Sequence, residues 1–124
     1  MEWTVEFHPD CSAWFEGLEE DLQDEILANL RVLSQLGPAL GRPRVDTVKD
    51  SAYPNMKELR VQYKGDPWRI LFAFDPERVA IVLVGGNKGG DNRWYKTNIP
   101  IADARYKQHL EELEKEKEHE KDAR

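Results

Sequence analysis

Three short segments of the chain alternate apolar with polar residues and a fourth is apolar throughout, which together predict four β-strands. The first segment contains Trp3, Val5 and Phe7. The other three follow one another closely, as KELRVQY (57–63), WRILFAF (68–74) and VAIVLV (79–84). Turns with Gly and Pro separate these three, so they are predicted to form an antiparallel meander. The last strand is apolar on both faces and is expected to lie centrally, with other elements covering each side.

Apolar residues at helical spacing predict three helices. A short helix after Pro9 carries Ala13, Trp14 and Phe15. A longer helix spans residues 18–36 and ends at the pair Gly37 and Pro38. Its apolar stripe consists of Leu18, Leu22, Ile26, Leu30 and Leu33, widened by Leu27 and Leu36. The last helix is predicted from Ile101, after Pro100, to about Glu120, with Ile101, Ala104, Leu110 and Leu113 as its apolar residues.

The predicted element order is β-α-α-βββ-α, an α+β fold with a small twisted antiparallel sheet and helices packed on it. Residues 38–56, which contain three prolines, are predicted to be a long irregular loop. The length of 124 residues fits a single domain, 1–124. Its C-terminal part, about 111–124, is nearly all charged and is expected to be solvated or frayed unless a partner holds it.

Charge is distributed unevenly along the chain. The net charge is −6, yet residues 41–98 contain 11 Lys and Arg against 7 Asp and Glu, which makes that segment +4 and the remainder −10. Such a division suggests a basic functional segment between acidic helices. Ordinary helix surface chemistry accounts for the same division about equally well.

Several classes of protein are disfavoured by what the sequence lacks. No apolar run approaches the roughly 18 residues of a membrane span, and the first residues do not resemble a secretory signal. Cys11 is the only cysteine and cannot form an internal disulfide, so we expect a cytoplasmic protein that does not bind membranes. Cys11 is interpreted as a buried small apolar residue. No group of His, Cys and Asp has metal-ligand spacing, so neither metal nor cofactor is expected.

The glycine-rich stretch VLVGGNKGGDNRWY (82–95) follows the last predicted strand. It lacks the Ser or Thr that follows the lysine of a phosphate-binding P-loop, and no βαβ unit surrounds it. DNRWY does not resemble a helix start, so a nucleotide-cofactor site is disfavoured. A flexible exit from the strand explains the glycines, but it leaves Lys88 and Arg93 unexplained.

Arg60 and Arg69 each lie in a predicted strand whose apolar residues point the other way. One such arginine is commonly a surface ion pair, and Glu58 on the same face is a candidate partner. Two arginines on neighbouring strands, with further cations near the same end of the sheet, predict a basic surface that can bind phosphate. Trp94 and Tyr95 could stack on bases, or Trp94 could pack in the core.

The segments KELR, WRILFAF and GGNK…WY, in this order and spacing, resemble the phage-derived, HigB-like branch of the RelE/ParE toxin superfamily of bacterial toxin–antitoxin systems. The resemblance extends from the first strand through Leu113. It implies a ribosome-dependent ribonuclease that cuts messenger RNA without a metal. It also implies a cognate antitoxin, commonly a helix-turn-helix protein, as partner. Two alternatives stay open, a non-catalytic ParE-like toxin that poisons gyrase and an inactive phage-derived binding module.

The resemblance also implies roles for individual residues. Arg69 takes the position of the arginine that contacts the scissile phosphate. Lys88 or Arg93 takes that of a second basic residue, and Tyr95 that of a tyrosine used as a base. We expect neighbouring cations to lower the pKa of Tyr95, so that it can act as a base.

The candidate catalytic residues are therefore Arg69, Lys88, Tyr95 and Arg93, and the candidate RNA contacts are Lys57, Arg60 and Trp94. The chain departs from the family in two respects. It has Lys57, Glu58 and Arg60 where RelE-like enzymes present paired lysines, and it lacks the histidine that some HigB toxins carry near the end of the last strand.

Overall fold

A computed structural model describes residues 2–122, with side chains through residue 120. Its elements are β1 (Thr4–Phe7), α1 (Pro9–Glu16), α2 (Glu20–Leu36), a short 3-10 turn (Gly37–Ala39), β2 (Val45–Thr47), β3 (Met56–Tyr63), β4 (Asp66–Phe74), β5 (Val79–Asn87) and α3 (Trp94–Asp122). The predicted α+β class is confirmed, and each predicted strand and helix is present. The last two residues of the predicted charged tail, 123–124, lie outside the described part.

The strands form one sheet in the order β1-β5-β4-β3-β2. The meander of β3, β4 and β5 is antiparallel, as predicted. β1, however, lies parallel to β5, with Thr4 opposite Val79, so the sheet is mixed rather than wholly antiparallel. Because β5 is apolar on both faces and needs a neighbour on each side, β1 takes the edge that the meander leaves open.

β2 lies inside the segment that was predicted to be a loop. It has only three residues and pairs with β3, with Val45 opposite Leu59 and Asp46 opposite Glu58. Val45 is buried on the core side, whereas Asp46 faces the other side. A strand of three residues carries too little alternation to be recognised among prolines, which is why the pattern did not predict it.

α1 and α2 cover one face of the sheet. The buried residues of this layer are Cys11, Leu22, Ile26, Leu30, Leu33, Val45, Leu59, Val61, Ile70, Phe72, Ala80 and Val82. The predicted stripe of α2 is thus confirmed, but Leu27 and Leu36 are 45% and 50% exposed and do not widen it. Each residue turns the helix by about 100°, so Leu27 points well away from its buried neighbour Ile26.

α3 covers the opposite face and begins at Trp94, earlier than the predicted start at Ile101. The carboxylate of Asp91 accepts the backbone N–H of Arg93 at 3.0 Å, a capping interaction that leads into the helix. Pro100 lies inside the helix and removes one backbone donor. The burial of Trp94 and Ile99, both in the first two turns of the helix, offsets the loss of that hydrogen bond.

The packed face of α3 also differs in detail from the prediction. Ala102 and Tyr106 are buried, whereas Ala104 is exposed. Residues 114–120 are exposed, so the charged tail is solvated as predicted, although it stays helical to Asp122 rather than fraying. Among residues 2–122, no helix combines the length and the apolar character that a membrane crossing requires.

Candidate active site

The sheet register brings two arginines together on the face that α3 covers. Arg60 of β3 lies directly opposite Arg69 of β4. Because side chains alternate along a strand, Glu58 shares the face of Arg60. Tyr95, in the first turn of α3, reaches the same point from above the sheet. Three strand residues and one helix residue therefore meet in one cluster.

Glu58 is the shared partner of this cluster, and its side chain is only 7% exposed. The Tyr95 hydroxyl donates to Glu58 Oε2 at 2.6 Å. Arg60 Nε and Nη2 both donate to Glu58 Oε1, at 3.3 and 3.1 Å. Arg69 Nε lies 4.0 Å from Glu58 Oε2. A buried carboxylate is costly unless it is paired and hydrogen-bonded, and these three groups supply that compensation.

Arg60 is held between two carboxylates. Its Nη2 contacts Asp46 Oδ2 at 3.2 Å as well as Glu58, and Asp46 in turn contacts Arg42 at 3.3 Å. The backbone N–H of Thr47 lowers the pKa of Asp46, and the charges of Arg42 and Arg60 act in the same direction. Asp46 is therefore ionised at neutral pH, and much of the charge of Arg60 is already balanced.

Arg69 is less fully satisfied than Arg60, although it is more deeply placed. Its side chain is 13% exposed, and its Nη1 donates to the backbone carbonyl of Trp68 at 3.0 Å. Its Nε is buried and has no hydrogen-bond partner among the described residues. Buried donors are nearly always paired in folded proteins, so this guanidinium is well suited to an anion that enters the site.

The hydroxyl of Tyr95 is not activated as the sequence suggested. Burial raises its pKa above the usual 10, and the hydrogen bond to Glu58 raises it further, against a smaller opposing effect of Arg69. The expectation that Lys88 and Arg93 lower this pKa is wrong. A carboxylate that accepts the tyrosine proton stabilises the neutral phenol, and Glu58 is the group that the hydroxyl contacts.

Lys88 borders the cluster, whereas Arg93 does not enter it. Lys88 Nζ lies 5.6 Å from the centre of the Tyr95 ring. Arg93 is exposed, and among the described residues no contact joins its side chain to Glu58 or Tyr95. Of the four candidate catalytic residues, the structure thus brings three together, and Arg93 lies at the margin.

Two of the candidate RNA contacts lie elsewhere. Lys57 alternates with Glu58 and so points to the α2 side of the sheet, where its Nζ donates to Thr47 Oγ1 at 2.8 Å. Trp94 is 5% exposed and belongs to the core beneath α3, so its ring faces are not available for base stacking. Of the three candidate RNA contacts, only Arg60 lies in the cluster.

The glycines of the stretch 82–95 make room for tryptophans rather than for a nucleotide. Gly85 and Gly86 belong to β5. A Cβ atom at Gly85 would lie 2.4 Å from the Trp14 ring, and one at Gly86 would lie 2.7 Å from Trp94 Nε1. Gly90, with φ +72°, then allows the tight turn into α3.

Two cavities border the Tyr95 side chain. One, of about 370 Å³, is lined among others by Glu58, Arg60 and Asp46. The other, of about 560 Å³, is lined by Asp50, Asn92, Tyr95, Lys96, Ile99, Pro100 and Asp103. The Ser51 hydroxyl and the Ala52 N–H both donate to Asp103, which fixes the loop between the two cavities. Glu58, Arg60 and Tyr95 of the cluster therefore line a concave surface large enough for part of a polynucleotide chain.

Glu58 is the central residue that the sequence interpretation missed. Its alternation with Arg60 placed it on the right face and suggested an ion pair. What the sequence did not reveal is its burial and its bond to Tyr95, because both depend on how α3 packs over β3. Asp46 was missed for a related reason, since its role depends on the unrecognised strand β2.

Comparison with known proteins agrees with this architecture. The family profile "Phage derived protein Gp49-like (DUF891)" matches residues 13–107. The putative toxin HigB3 of Mycobacterium tuberculosis (strain ATCC 25618 / H37Rv) is 51% identical over 98 residues, which cover 78% of this chain and 84% of that protein. The putative toxin HigB2 of the same strain is 46% identical over 114 residues, which cover 90% of this chain but only 56% of that protein.

A solved structure shares the fold at low identity. The archaeal RelE–RelB complex from Pyrococcus horikoshii OT3 superposes with a TM-score of 0.52 and 18% identity, over 73% of this chain and 99% of that one. The family profile spans most of the chain, and its curated relatives are HigB proteins. This chain therefore belongs to the Gp49-like family of phage-derived proteins.

Proposed function

We propose that this protein is the toxin of a type II toxin–antitoxin system and that it cleaves messenger RNA on the ribosome, in the cytoplasm, without a metal. The observation that carries the proposal is the pair Arg60 and Arg69 in register on neighbouring strands, with Arg60 and Tyr95 lining a concave surface. The two relatives from Mycobacterium tuberculosis are described as putative toxins, which supports the toxin assignment.

The cluster contains the groups that RNA cleavage by a neighbouring 2′-hydroxyl requires. The reaction needs cationic donors on the phosphate, a group that takes the 2′-hydroxyl proton and an acid for the 5′-oxygen. Arg69, whose side chain is 13% exposed, provides the donor that binds the phosphate, and Arg60 provides a second cation. Tyr95 receives the proton, and Lys88, near the Tyr95 ring, protonates the leaving oxygen.

The charge balance of the cluster supports dependence on the ribosome. Glu58 and Asp46 together offset much of the charge of the two arginines, so the site attracts free RNA only weakly. On the ribosome, the message is already held in place and its alignment is supplied by the ribosome rather than by the toxin. A site of this kind acts on messages that are being translated and spares free RNA.

A cognate antitoxin is the expected protein partner. The archaeal RelE of the same fold was solved together with RelB. In this chain, residues 41–98 are net basic and the remainder is net acidic, so a partner can contact surfaces of either charge. We expect a helix-turn-helix protein encoded beside this chain that covers the cluster and blocks access to Arg69.

A non-catalytic toxin that binds a protein target such as gyrase is the second candidate. The raised pKa of Tyr95 favours it, because a tyrosine that holds its proton tightly is a poor base by itself. The ion pairs of Arg60 favour it as well, because Asp46 and Glu58 already balance the charge of this arginine.

Induced expression in a bacterial host distinguishes the two candidates. If the protein is the proposed ribonuclease, growth stops and a reporter message is cut only when its start codon permits translation. The same message with a disabled start codon stays intact and serves as the internal control. Growth arrest with intact messages and trapped gyrase–DNA breaks would instead establish the second candidate. Harmless expression at a high level would exclude both.

A further inference from the structure

The carboxylate of Glu58 is more deeply buried than the Tyr95 side chain, although both residues line the smaller of the two cavities. Glu58 Oε2 accepts the Tyr95 proton at 2.6 Å, and the residue is 6% exposed. Tyr95 is the more accessible of the two and borders both cavities. Tyr95 lines the larger cavity and Glu58 does not, so a substrate in that cavity meets the tyrosine without contacting the carboxylate.

This geometry leaves the Tyr95 oxygen with its lone pairs free to accept. Its own proton is committed to Glu58, so a second hydroxyl that approaches can only donate to it. The 2′-hydroxyl of an RNA nucleotide is such a donor. A chain of hydrogen bonds from the 2′-hydroxyl through Tyr95 to Glu58 follows directly.

We propose that Glu58 is the final proton acceptor of the cleavage reaction and acts through Tyr95, an inference that rests on the proposed ribonuclease function. The 2′-oxygen forms a bond to the adjacent phosphorus, and the bond from phosphorus to the 5′-oxygen breaks. The 2′-hydroxyl proton moves to the Tyr95 oxygen while the Tyr95 proton moves to Glu58. Lys88 gives a proton to the 5′-oxygen, and the products are a 2′,3′-cyclic phosphate and a 5′-hydroxyl.

This relay explains how a tyrosine whose pKa is raised can still serve the reaction. Tyr95 never has to exist as a free phenolate, because it loses one proton as it gains another. With the substrate in the larger cavity, Glu58 does not touch it and is a positioning residue that takes up the proton through Tyr95. Exchange with water then returns a proton from Glu58 and restores that of Lys88.

Several charged groups face Glu58. They are Arg60 on β3 itself, Asp46 on β2 through Arg60, Arg69 on β4, Tyr95 on α3, Lys88 after β5, and Lys49 and Asp50 in the loop that lines the cavity. Apart from Tyr95, the groups nearest the Glu58 carboxylate are the cations Arg60 and Arg69.

The surface pair of Glu19 and Tyr63 provides a matched control within the same chain. Tyr63 donates its hydroxyl proton to Glu19, and Lys64 Nζ lies 3.3 Å from the same carboxylate oxygen. This pair has the same chemistry as Glu58 and Tyr95 but lies outside the cluster. Glu19→Gln therefore removes a tyrosine–carboxylate bond without altering the proposed relay.

The test measures single-turnover cleavage of a synthetic message on purified, programmed bacterial ribosomes as a function of pH. For wild type, we expect the rate to fall at low pH, because the relay needs an acceptor that carries no proton. Glu58→Gln should lower the rate about 10²-fold or more and abolish this acid limb. Glu19→Gln should leave the rate and the limb unchanged. Tyr95→Phe combined with Glu58→Gln should be no slower than the slower single variant, because both remove one relay.

A second variant and a direct titration of Tyr95 distinguish loss of the relay from loss of the folded structure. Glu58→Asp keeps a carboxylate and should recover part of the rate and the acid limb. Tyrosinate absorbance should show that Glu58→Gln lowers the pKa of Tyr95 in the folded protein. Wild-type activity that persists in Glu58→Gln, or an acid limb that survives in that variant, would overturn the relay alone. A wild type that cleaves no translated message would overturn the proposed function and the relay together.

Discussion

Arg60 and Arg69 face each other across β3 and β4, yet they differ in their freedom to bind a ligand. Arg60 is clamped by Glu58 and Asp46, at 3.1 and 3.2 Å. Arg69 is more deeply buried and keeps an unpaired Nε. The two arginines therefore have different roles. Arg60 balances two carboxylates, whereas Arg69 has fewer ion-pair contacts and is the arginine that we propose binds a phosphate.

Arg69→Ala should abolish most of the toxicity while leaving the fold intact. Removal of one donor from the developing charge of a transition state typically lowers the rate about 10² to 10³-fold. Glu58 keeps its bonds to Arg60 and Tyr95, so the loss in the free energy of unfolding should be only about 1 kcal/mol. Growth rescue, ribosomal cleavage and urea unfolding of the same variant measure these effects.

Arg31→Ala is the matched control for this variant, because it removes an exposed cation from α2, on the other face of the sheet. It should leave cleavage and toxicity unchanged. Full toxicity of Arg69→Ala with unchanged stability would show that Arg69 is not a phosphate ligand. If Arg69→Ala unfolds, Arg69→Lys keeps a cation there, and its failure to cleave while folded would still support a bidentate role.

The Trp94 ring packs directly against β5 and thereby sets the position of Tyr95. Because a Cβ at Gly86 would lie 2.7 Å from Trp94 Nε1, Gly86→Ala must displace the start of α3. Overpacking of this kind typically costs about 1–3 kcal/mol. We expect Gly86→Ala to lower both the melting temperature and the cleavage rate, since Tyr95 follows Trp94 directly.

Gly41→Ala is the control for Gly86→Ala, since no atom lies within 4 Å of the Cβ that it adds. It should leave stability and cleavage close to wild type. A Gly86→Ala variant with wild-type melting and wild-type activity would show that α3 does not depend on this close approach.

The elements of the fold were predictable where the pattern was long and regular. The alternation of Leu59, Val61 and Tyr63 fixed which face of β3 is buried, and it therefore placed Arg60 on the opposite face. The spacing of Leu22, Ile26, Leu30 and Leu33 likewise fixed the buried face of α2. In both cases, burial of one face against the rest of the chain is the dominant free energy, and the sequence period records it.

The start of α3 and the strand β2 were not predictable in the same way. Pro100 favoured a helix start at Ile101, whereas the burial of Trp94 and Ile99 extends the helix past it. β2 is stabilised by its pairing with β3, which is a long-range contact. Tertiary packing overrides local preference at both places.

The candidate site was predictable as a list of cations but not as a charge network. Arg69, Lys88 and Tyr95 could be placed near one end of the sheet from strand order and resemblance. The direction of the Tyr95 pKa shift could not be predicted, because it depends on burial and on the group that the hydroxyl contacts. Burial of Tyr95 and, second, its hydrogen bond to Glu58 raise this pKa, and both depend on how α3 packs over the sheet.

Cys11 should be inert toward thiol reagents in the folded protein. It is fully buried, and burial raises its pKa to about 12, against a smaller opposing effect of Arg105. Since the thiolate is the reactive form, both accessibility and ionisation protect it. Labelling with a maleimide near neutral pH should be negligible in native protein and complete in urea. Rapid labelling under native conditions would show that α1 opens from the sheet far more often than its packing suggests.

Tyr106 makes the stability of the protein sensitive to alkaline pH. Its hydroxyl accepts from Asn55 Nδ2 at 3.0 Å and lies 3.4 Å from the carbonyl oxygen of Phe74. Burial raises its pKa, and the charge of Asp75 adds to this, against the opposing effect of Asn55. The neutral phenol is therefore favoured in the folded state over the unfolded one.

The direction of the pH effect follows from this difference. Below the unfolded pKa of about 10, Tyr106 is protonated in both states, and its contribution to the free energy of unfolding is fully present. Above that pH, the unfolded chain loses the proton while the folded protein retains it, so stability falls until the folded pKa is passed. Urea unfolding across this range should show a steep alkaline decline in wild type and a shallower one in Tyr106→Phe. An equally steep decline in Tyr106→Phe would show that other groups destabilise the fold at high pH and that the Tyr106 phenol contributes nothing.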